Sequence, residues 1–265
     1  MDLKKAERVS VEAAKTVGAL MRKHLTGSKR AHTVTQFDIK LDLDVRSQKI
    51  IERKLHAAFP DIELLGEEGT AGQTGGDYRW VVDPIDGTVN FSYGIPHACV
   101  SIALQSRGKK AGTLNYHDGY HTVIGVVYDP FCQEMWTARE GQSARLNGKK
   151  IRVSNRRDLQ ETLLSIGFAK TRETVTTTLP YFNRLVKRVR KIRSMGSASL
   201  ALTYVASARF DAYIERGINL WDIAAGGFIV ERAGGEFWCK PNPNRATYRM
   251  VASNGLLRKK LQVPD

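Results

Sequence analysis

Trp80-Val81-Val82-Asp83-Pro84-Ile85-Asp86-Gly87-Thr88-Val89-Asn90-Phe91 reads as an apolar strand running into a turn that carries two carboxylates, and the rest of the chain is arranged around it. Pro84 fixes its own φ and pushes Asp83 toward extended backbone, so the Asp83 side chain is expected at the strand's end. Asp86 follows on the turn, and with the Ile85 carbonyl between them this segment offers hard oxygen donors of the kind that suit Mg²⁺ or Mn²⁺. Gly87 lets the backbone turn tightly and approach a ligand, and Thr88 stands where a helix would begin, with free N–H groups that suit a phosphate. Asp-Pro-x-Asp-Gly is equally ordinary turn chemistry, so the string by itself leaves both readings open.

Upstream, Leu64-Leu65-Gly66-Glu67-Glu68-Gly69 sets two adjacent carboxylates between glycines after an apolar stretch. Neighbouring side chains diverge in a strand or turn, so one Glu can face a metal while the other reaches a water or a second ion. Phe37 to Asp44 alternates apolar and polar residues like a strand, and Ile51, Leu55, Ala58 and Phe59 mark a helix that ends before Pro60. Asp44 lies at that junction, where a helix N-cap and a functional acid are both open. Residues 2 to about 26 pattern as an amphipathic helix with Val9, Ala13, Val17 and Leu20 near one face, and Gly27 to His32 as a basic loop, either a lid or a solvated linker.

Downstream, Cys99–Leu104, Val123–Tyr128 and Glu134–Ala138 read as strands, and Leu146 to Lys150 as a hairpin with Asn147-Gly148 at its tip. His117 and His121, in the polar insertion between the first two of these strands, have no evident third partner and read as loop histidines. Arg152 to Asp158 is a polar internal boundary, and Leu163 to Phe168 suggests a strand. Leu179 to Ile192 reads as a helix carrying the chain's strongest basic patch, residues 184–193, around Leu185, Val189 and Ile192. Met195 to Ser199 is a small-residue turn opening a helix; Phe210 to Glu215 is a strand; Leu220 to Gly227 starts a helix ending near Gly234-Gly235. Asp222 falls in the first turn of that helix, where it also suits the helix dipole.

The bulk numbers are those of a globular chain: 265 residues, 42% hydrophobic. No stretch approaches the roughly 20 apolar residues that span a bilayer, and the N-terminus lacks a signal-peptide core, so a cytoplasmic protein with no membrane partner is expected. Cys99, Cys132 and Cys239 are widely spaced and suggest neither a zinc site nor a disulfide framework. An excess of 41 Lys+Arg over 27 Asp+Glu gives +14, which favours an anionic partner: a phosphorylated substrate, nucleic acid or an acidic protein surface.

Taken together, Gly66-Glu67-Glu68, the Trp80 to Phe91 stretch, Gly196-Ser197-Ala198, and Trp221-Asp222-Ile223-Ala224-Ala225-Gly226 followed by Gly234-Gly235 resemble the motifs of the inositol monophosphatase family, in its order and along nearly the whole chain. That family consists of Mg²⁺-dependent, typically lithium-sensitive phosphomonoesterases. The resemblance implies a mixed α/β fold, a layered α/β/α/β/α sandwich, in one domain over 1–265 whose halves, about 1–153 and 154–265, carry the metal and phosphate motifs and the substrate-facing residues. It implies that Glu67, Asp83, the Ile85 carbonyl, Asp86 and Asp222 hold two or three Mg²⁺ ions, with Mn²⁺ as an alternative. It further implies that Gly87 and Thr88 bind phosphate through backbone N–H groups, with Asp86 and Asp222 also at the substrate, and that Ala198 and Glu215 face its alcohol portion. Asp44 is implied to orient the Thr88 hydroxyl toward the attacking water and Glu68 to support the outer metal shell.

The implied substrate is a small phosphorylated polyol, most directly myo-inositol monophosphate, and the implied assembly a homodimer. Histidinol phosphate, fructose 1,6-bisphosphate and 3′-phosphoadenosine 5′-phosphate are alternatives within the superfamily. A protein that binds RNA or the transcription and translation machinery through the basic stretch 184–193 is the alternative of another class. Three features depart from the family pattern: Lys40-Leu41 where members usually carry Val-Thr, so that the choice of Asp44 over Asp42 rests on spacing from Asp38; an insertion from Arg107 to Tyr120; and Arg216, expected to add a cation beside the substrate alcohol.

Overall fold

The computed structural model describes residues 1–27, 31–34, 39–72, 74–168, 172–243 and 246–263. The chain opens with α1 (Leu3–His24), whose Asp2 caps it by accepting the Lys5 N–H at 2.9 Å. Its inward face is Ala6, Ser10, Ala13, Ala14, Val17, Gly18 and Met21, small enough to let the helix lie close; Val9 and Leu20, expected on that face, sit half-buried at its margins. Residues 28–30 of the expected loop lie outside the described residues, and its end, Ala31-His32, begins a strand, β1 (Ala31–Val34), antiparallel to β2 (Ile39–Leu41).

The strand expected from Phe37 to Asp44 is shorter than its alternation suggests: 37 and 38 lie outside the described residues, and α2 (Asp42–Ala58) starts before it can continue. The reason is local. Asp42 and Asp44 put negative charge in the helix's first turn, and the buried Asp44 carboxylate accepts the Leu41 N–H at 2.7 Å, closing that turn.

The long sheet follows. β3 (Glu63–Gly66), β4 (Gly69–Ala71), β5 (Tyr78–Asp86), then after the short α3 (Thr88–Ser92) β6 (Cys99–Arg107), β7 (Tyr120–Asp129), β8 (Glu134–Arg139), β9 (Arg145–Leu146) and β10 (Lys149–Lys150) pair in the order β10-β9-β8-β7-β6-β5-β3-β4. All neighbours are antiparallel except β3 and β5. The Asn147-Gly148 tip has both residues at positive φ, +48° and +79°, as a two-residue hairpin turn requires.

An irregular stretch then carries the chain to the second sheet, where buried Asp211 anchors it by accepting from Ser154 Oγ (2.5 Å), Arg156 (2.8 Å) and the Leu163 N–H (2.8 Å). β11 (Leu163–Ile166), α4 (Arg172–Val186), β12 (Lys191–Arg193), α5 (Ala198–Ala206), β13 (Ala212–Ile218), α6 (Leu220–Arg232), β14 (Glu236–Pro241), β15 (Tyr248–Ser253) and α7 (Arg258–Leu261) complete the chain. The sheet order is β12-β11-β13-β15-β14, parallel on the β12 side and antiparallel on the other.

The basic stretch 184–193 is not one helix. α4 ends at Val186, residues 187–190 turn, and Lys191–Arg193 form the edge strand. The helix also starts earlier than expected, because Thr178, Tyr181 and Leu185 form its buried line and outweigh a β-branched run and Pro180, both poor helix material. Residues beyond Gly235, for which sequence reasoning set no expectation, supply β14, β15 and α7.

Three apolar layers hold these elements together. One joins α1 and α2 to the long sheet around fully buried Trp80 and Phe91; the middle one sandwiches α5 and α6 between the two sheets around Trp136, Leu200 and Phe228; the third joins the outer face of the short sheet to α4 and α7 around Leu185 and Leu257. This is the α/β/α/β/α sandwich. Burying each such large side chain contributes about 1.5–3 kcal/mol. Gly125 shows how close the layers come: a Cβ there would stand 2.6 Å from the Ala225 carbonyl oxygen of α6. Among the described residues no helix is long and apolar enough to cross a membrane.

Candidate active site

The ends of β5, β11 and β13 and the starts of α5 and α6 surround a cavity of about 420 Å³. Its wall includes Glu67, Asp83, Ile85, Asp86, Gly87, Thr88, Ala198, Glu215 and Asp222, residues scattered over more than half of the chain.

β5 delivers the first two acids. Pairing with β6 is regular to Asp83 and resumes at Asp86, an irregularity that Pro84, lacking an N–H, builds in. Asp83 Oδ1 accepts the Ile85 N–H at 3.0 Å, which fixes the carboxylate at the bend. Gly87 follows with φ +95°, and a Cβ there would meet the His97 carbonyl at 2.9 Å, so glycine is required both by the turn and by the space. Thr88 Oγ1 donates to the Ile85 carbonyl at 2.7 Å.

The start of α5 grips Asp86. Ser197 Oγ donates to Oδ2 at 2.7 Å, the Ser199 N–H to the same oxygen at 2.6 Å, and the Ala198 N–H to Oδ1 at 3.2 Å. Asp222 stands in the first turn of α6, where Oδ2 accepts the Asn219 N–H at 2.9 Å and its backbone carbonyl accepts Ser199 Oγ at 2.8 Å. Glu67 comes in on the turn after β3, held by its N–H donating to the Val82 carbonyl at 3.2 Å. Across the cavity, Glu215 on β13 accepts from the Tyr213 hydroxyl, its neighbour on the same face of the strand, and packs over Gly167.

Asp83, Asp86 and Asp222 each place a carboxylate oxygen within 4.8 Å of the others. At that distance two carboxylates repel by about 3 kcal/mol even at an effective dielectric near 20. Burial, joined by the neighbouring acids, pushes the Asp83 and Asp222 carboxyls well above their ordinary range. Burial also raises Asp86, but the Ser197 and α5 backbone donors pull it back. An all-oxygen donor set under this repulsion fits a hard divalent cation such as Mg²⁺, which would relieve it.

Two expected site residues are placed elsewhere. Asp44 closes the first turn of α2, and Glu68 sits at the β3–β4 turn with its N–H donating to Gln48 Oε1 at 2.9 Å; neither lines the cavity. A hydroxyl has one proton, so Thr88, donating to Ile85, does not also donate to Asp44 in this arrangement. Arg216, expected beside the substrate alcohol, lies on the opposite face of β13 from Glu215, because side chains alternate along a strand. His117 and His121 go separate ways, to the Tyr248 hydroxyl (2.9 Å) and the Gly108 carbonyl (2.8 Å); His117 is a loop residue as expected, whereas His121 is buried in β7, paired with Ser106 of β6.

Sequence reasoning missed the roles of Ser197, Ser199 and Tyr213. The first two were signalled by a Ser-x-Ser pair at the start of a helix, where a serine suits the N-cap, and Ser197 does cap α5 by accepting the Leu200 N–H. It also missed Asn90, whose amide donates to the carbonyls of His97 (3.0 Å) and Met195 (2.8 Å) and so ties the Gly87 turn to the approach of α5.

Comparisons with known proteins agree with the fold. The family model described as Inositol monophosphatase family matches residues 2–261. A Xylella fastidiosa protein named Nus factor SuhB is 39% identical over 237 residues, 88% of this chain and 81% of its own. Inositol monophosphatase 1 of Solanum lycopersicum is 37% identical over 236 residues, 86% of this chain and 81% of its own. The solved inositol monophosphatase of Anabaena (Nostoc) sp. PCC 7120 superposes with a TM-score of 0.82 at 32% identity, covering 100% of this chain and 98% of its own.

Proposed function

Because this chain belongs to the inositol monophosphatase family, we propose that it is a Mg²⁺-dependent phosphatase that hydrolyses a small phosphomonoester, with myo-inositol monophosphate as the substrate. The observation that carries the reading is the meeting of Asp83, Asp86 and Asp222 in one cavity with Glu67, Gly87, Thr88 and Glu215. In this reading Glu67, Asp83, the Ile85 carbonyl, Asp86 and Asp222 hold two or three ions, and Mn²⁺ can replace Mg²⁺. When bound, such ions lower the pKa of a water and neutralise charge on the attacking and leaving oxygens.

The chain's own groups do the positioning. The N–H groups of Gly87 and Thr88 hold the phosphate, the start of α5 fixes the Asp86 carboxylate, and Glu215 accepts hydrogen bonds from substrate hydroxyls while Ala198 contacts the alcohol portion. Asp44 and Glu68 act from behind this wall, Asp44 by holding the entry to α2 and Glu68 from the turn next to Glu67. The family resemblance extends the reading to a homodimer in the cytoplasm.

The test is phosphate release from inositol 1-phosphate, histidinol phosphate, fructose 1,6-bisphosphate and 3′-phosphoadenosine 5′-phosphate, with and without Mg²⁺. Mg²⁺-dependent turnover that favours inositol 1-phosphate supports the proposal. Preference for another ester replaces the substrate and keeps the chemistry; no turnover of any of them rejects the enzyme.

A second reading, binding of an anionic macromolecule alongside catalysis, is favoured by the net charge of +14 and by the name Nus factor SuhB carried by the Xylella fastidiosa relative.

A further inference from the structure

The outer face of the short sheet carries charge in an arrangement that sheets avoid. Strand pairing sets Arg216 directly opposite Arg249, and Arg249 directly opposite Lys240, so three adjacent strands contribute one row of cations. Neighbouring strands are about 4.8 Å apart, and like charges directly opposite destabilise a sheet. The row faces away from the cavity: Glu215 and Gly217 on either side of Arg216 line the cavity, while Tyr248 and Met250 on either side of Arg249 belong to the middle apolar layer.

An aromatic ring adjoins the row. Trp238 lies on the same face, two residues from Lys240, half-buried with part of its ring against the third apolar layer and the Arg249 and Arg258 guanidinium groups 5.7 and 5.4 Å from its ring centre. The acid beside Arg258 is Glu236 at 3.8 Å, a loose pair at the sheet edge. Positive charge continues onto the flanking helices, where Arg184 of α4 stands 5.1 Å from the Tyr181 ring centre and Arg258 of α7 also bears on the Tyr181 hydroxyl. Two strand spacings separate Arg216 from Lys240, about 10 Å, a row long enough to lie beside more than one phosphate of an extended strand. An acidic peptide would match the cations but has no use for the ring. Guanidinium forks for phosphates together with a Trp face for a base are what a single-stranded nucleic acid takes.

We propose that this face, Arg216, Arg249, Lys240, Arg258 and Trp238, binds single-stranded nucleic acid, with phosphates along the cation row and a base against Trp238. The inference supplies a surface for the second reading above and rests on it.

The experiment is fluorescence anisotropy of a labelled oligouridylate with the full chain, from low to physiological salt. Wild type is expected to bind, with affinity falling steeply as salt rises. The double variant Lys240→Gln/Arg249→Gln should lose about tenfold at low salt and show a log–log salt slope shallower by about 1.4, two phosphate contacts at roughly 0.7 each. Trp238→Leu should lose about tenfold with the slope unchanged, because stacking releases no counterions. Both variants should keep the wild-type melting temperature to within a few degrees and wild-type phosphatase turnover. Wild-type affinity and slope in the double variant would overturn the surface while leaving the second reading intact. Displacement of the RNA by polyglutamate as readily as by unlabelled RNA would overturn the nucleic-acid assignment. Absence of binding by wild type at low salt would overturn the nucleic-acid surface, while the second reading would then rest on an acidic protein partner.

Discussion

Asp86 and Ser199 lie 113 residues apart in the chain, yet the Ser199 N–H donates to the Asp86 carboxylate at 2.6 Å, so the first turn of one helix holds an acid delivered by a distant strand. Hydrogen bonds to a charged acceptor are about twice as strong as neutral ones, and Ser197 adds a second at 2.7 Å. Ser197→Ala removes that bond together with the cap of α5. It should cost about 1–2 kcal/mol of stability, read by urea denaturation, and should lower turnover by loosening Asp86.

Among the described residues Asp222 accepts one backbone N–H, that of Asn219, where Asp86 accepts two. Asp222→Asn can present its carbonyl oxygen to Asn219 and stay folded, while losing one charge from the crowded cluster. The metal-free variant should melt at or above the wild-type temperature, and turnover should fall by more than about a hundredfold, since a weakened oxygen ligand acts mainly on the transition state. Asp86→Asn should lose activity as well but melt lower, because its amide group would face donors on the α5 side.

Metal and pH are linked through the same acids. Burial and mutual repulsion hold the Asp83 and Asp222 carboxyls well above their ordinary range in the folded chain. A raised carboxyl contributes stability that is present below its unfolded value and is lost as pH rises through its folded value. The metal-free protein should therefore lose stability from acid toward neutral pH, and Mg²⁺ should restore it. Melting curves with and without Mg²⁺ between about pH 5 and pH 8 should diverge as pH rises; a gap that is constant across this window would contradict the coupling.

Glu215 meets the Tyr213 hydroxyl on the cavity face, and glutamine can accept the same bond. Glu215→Gln should raise KM for a polyol phosphate about tenfold with kcat within a few-fold, the pattern of a lost ground-state contact. A fall in kcat with KM unchanged would place Glu215 in the chemical step instead.

Gly125→Ala puts a methyl 2.6 Å from the Ala225 carbonyl and should cost about 1–3 kcal/mol in thermal or urea unfolding. A neutral result would mean that the middle layer is looser than its contacts indicate.

What was legible in the sequence was local. Pro84 and Gly87 act within a few residues of themselves, and the strand, bend and positive φ around Asp83 and Asp86 follow from them. Asp222 reached the site only through family resemblance, which also chose Glu67 over Glu68, because their convergence depends on the parallel pairing of β3 with β5 and on α6 packing against the same sheet. α4 was misread since its threonines and Pro180 oppose a helix and only burial of Tyr181 and Leu185 decides it. The row of Arg216, Arg249 and Lys240 is invisible along the chain, because register alone makes it.

The most direct test is Mn²⁺ binding, followed by electron paramagnetic resonance or calorimetry, in the wild type and in Asp83→Asn/Asp222→Asn. The wild type should take up Mn²⁺ that Mg²⁺ displaces, and the double variant should bind it at least tenfold more weakly while keeping its fold by circular dichroism. Equal Mn²⁺ uptake by both proteins would show that these buried acids do not hold the cation.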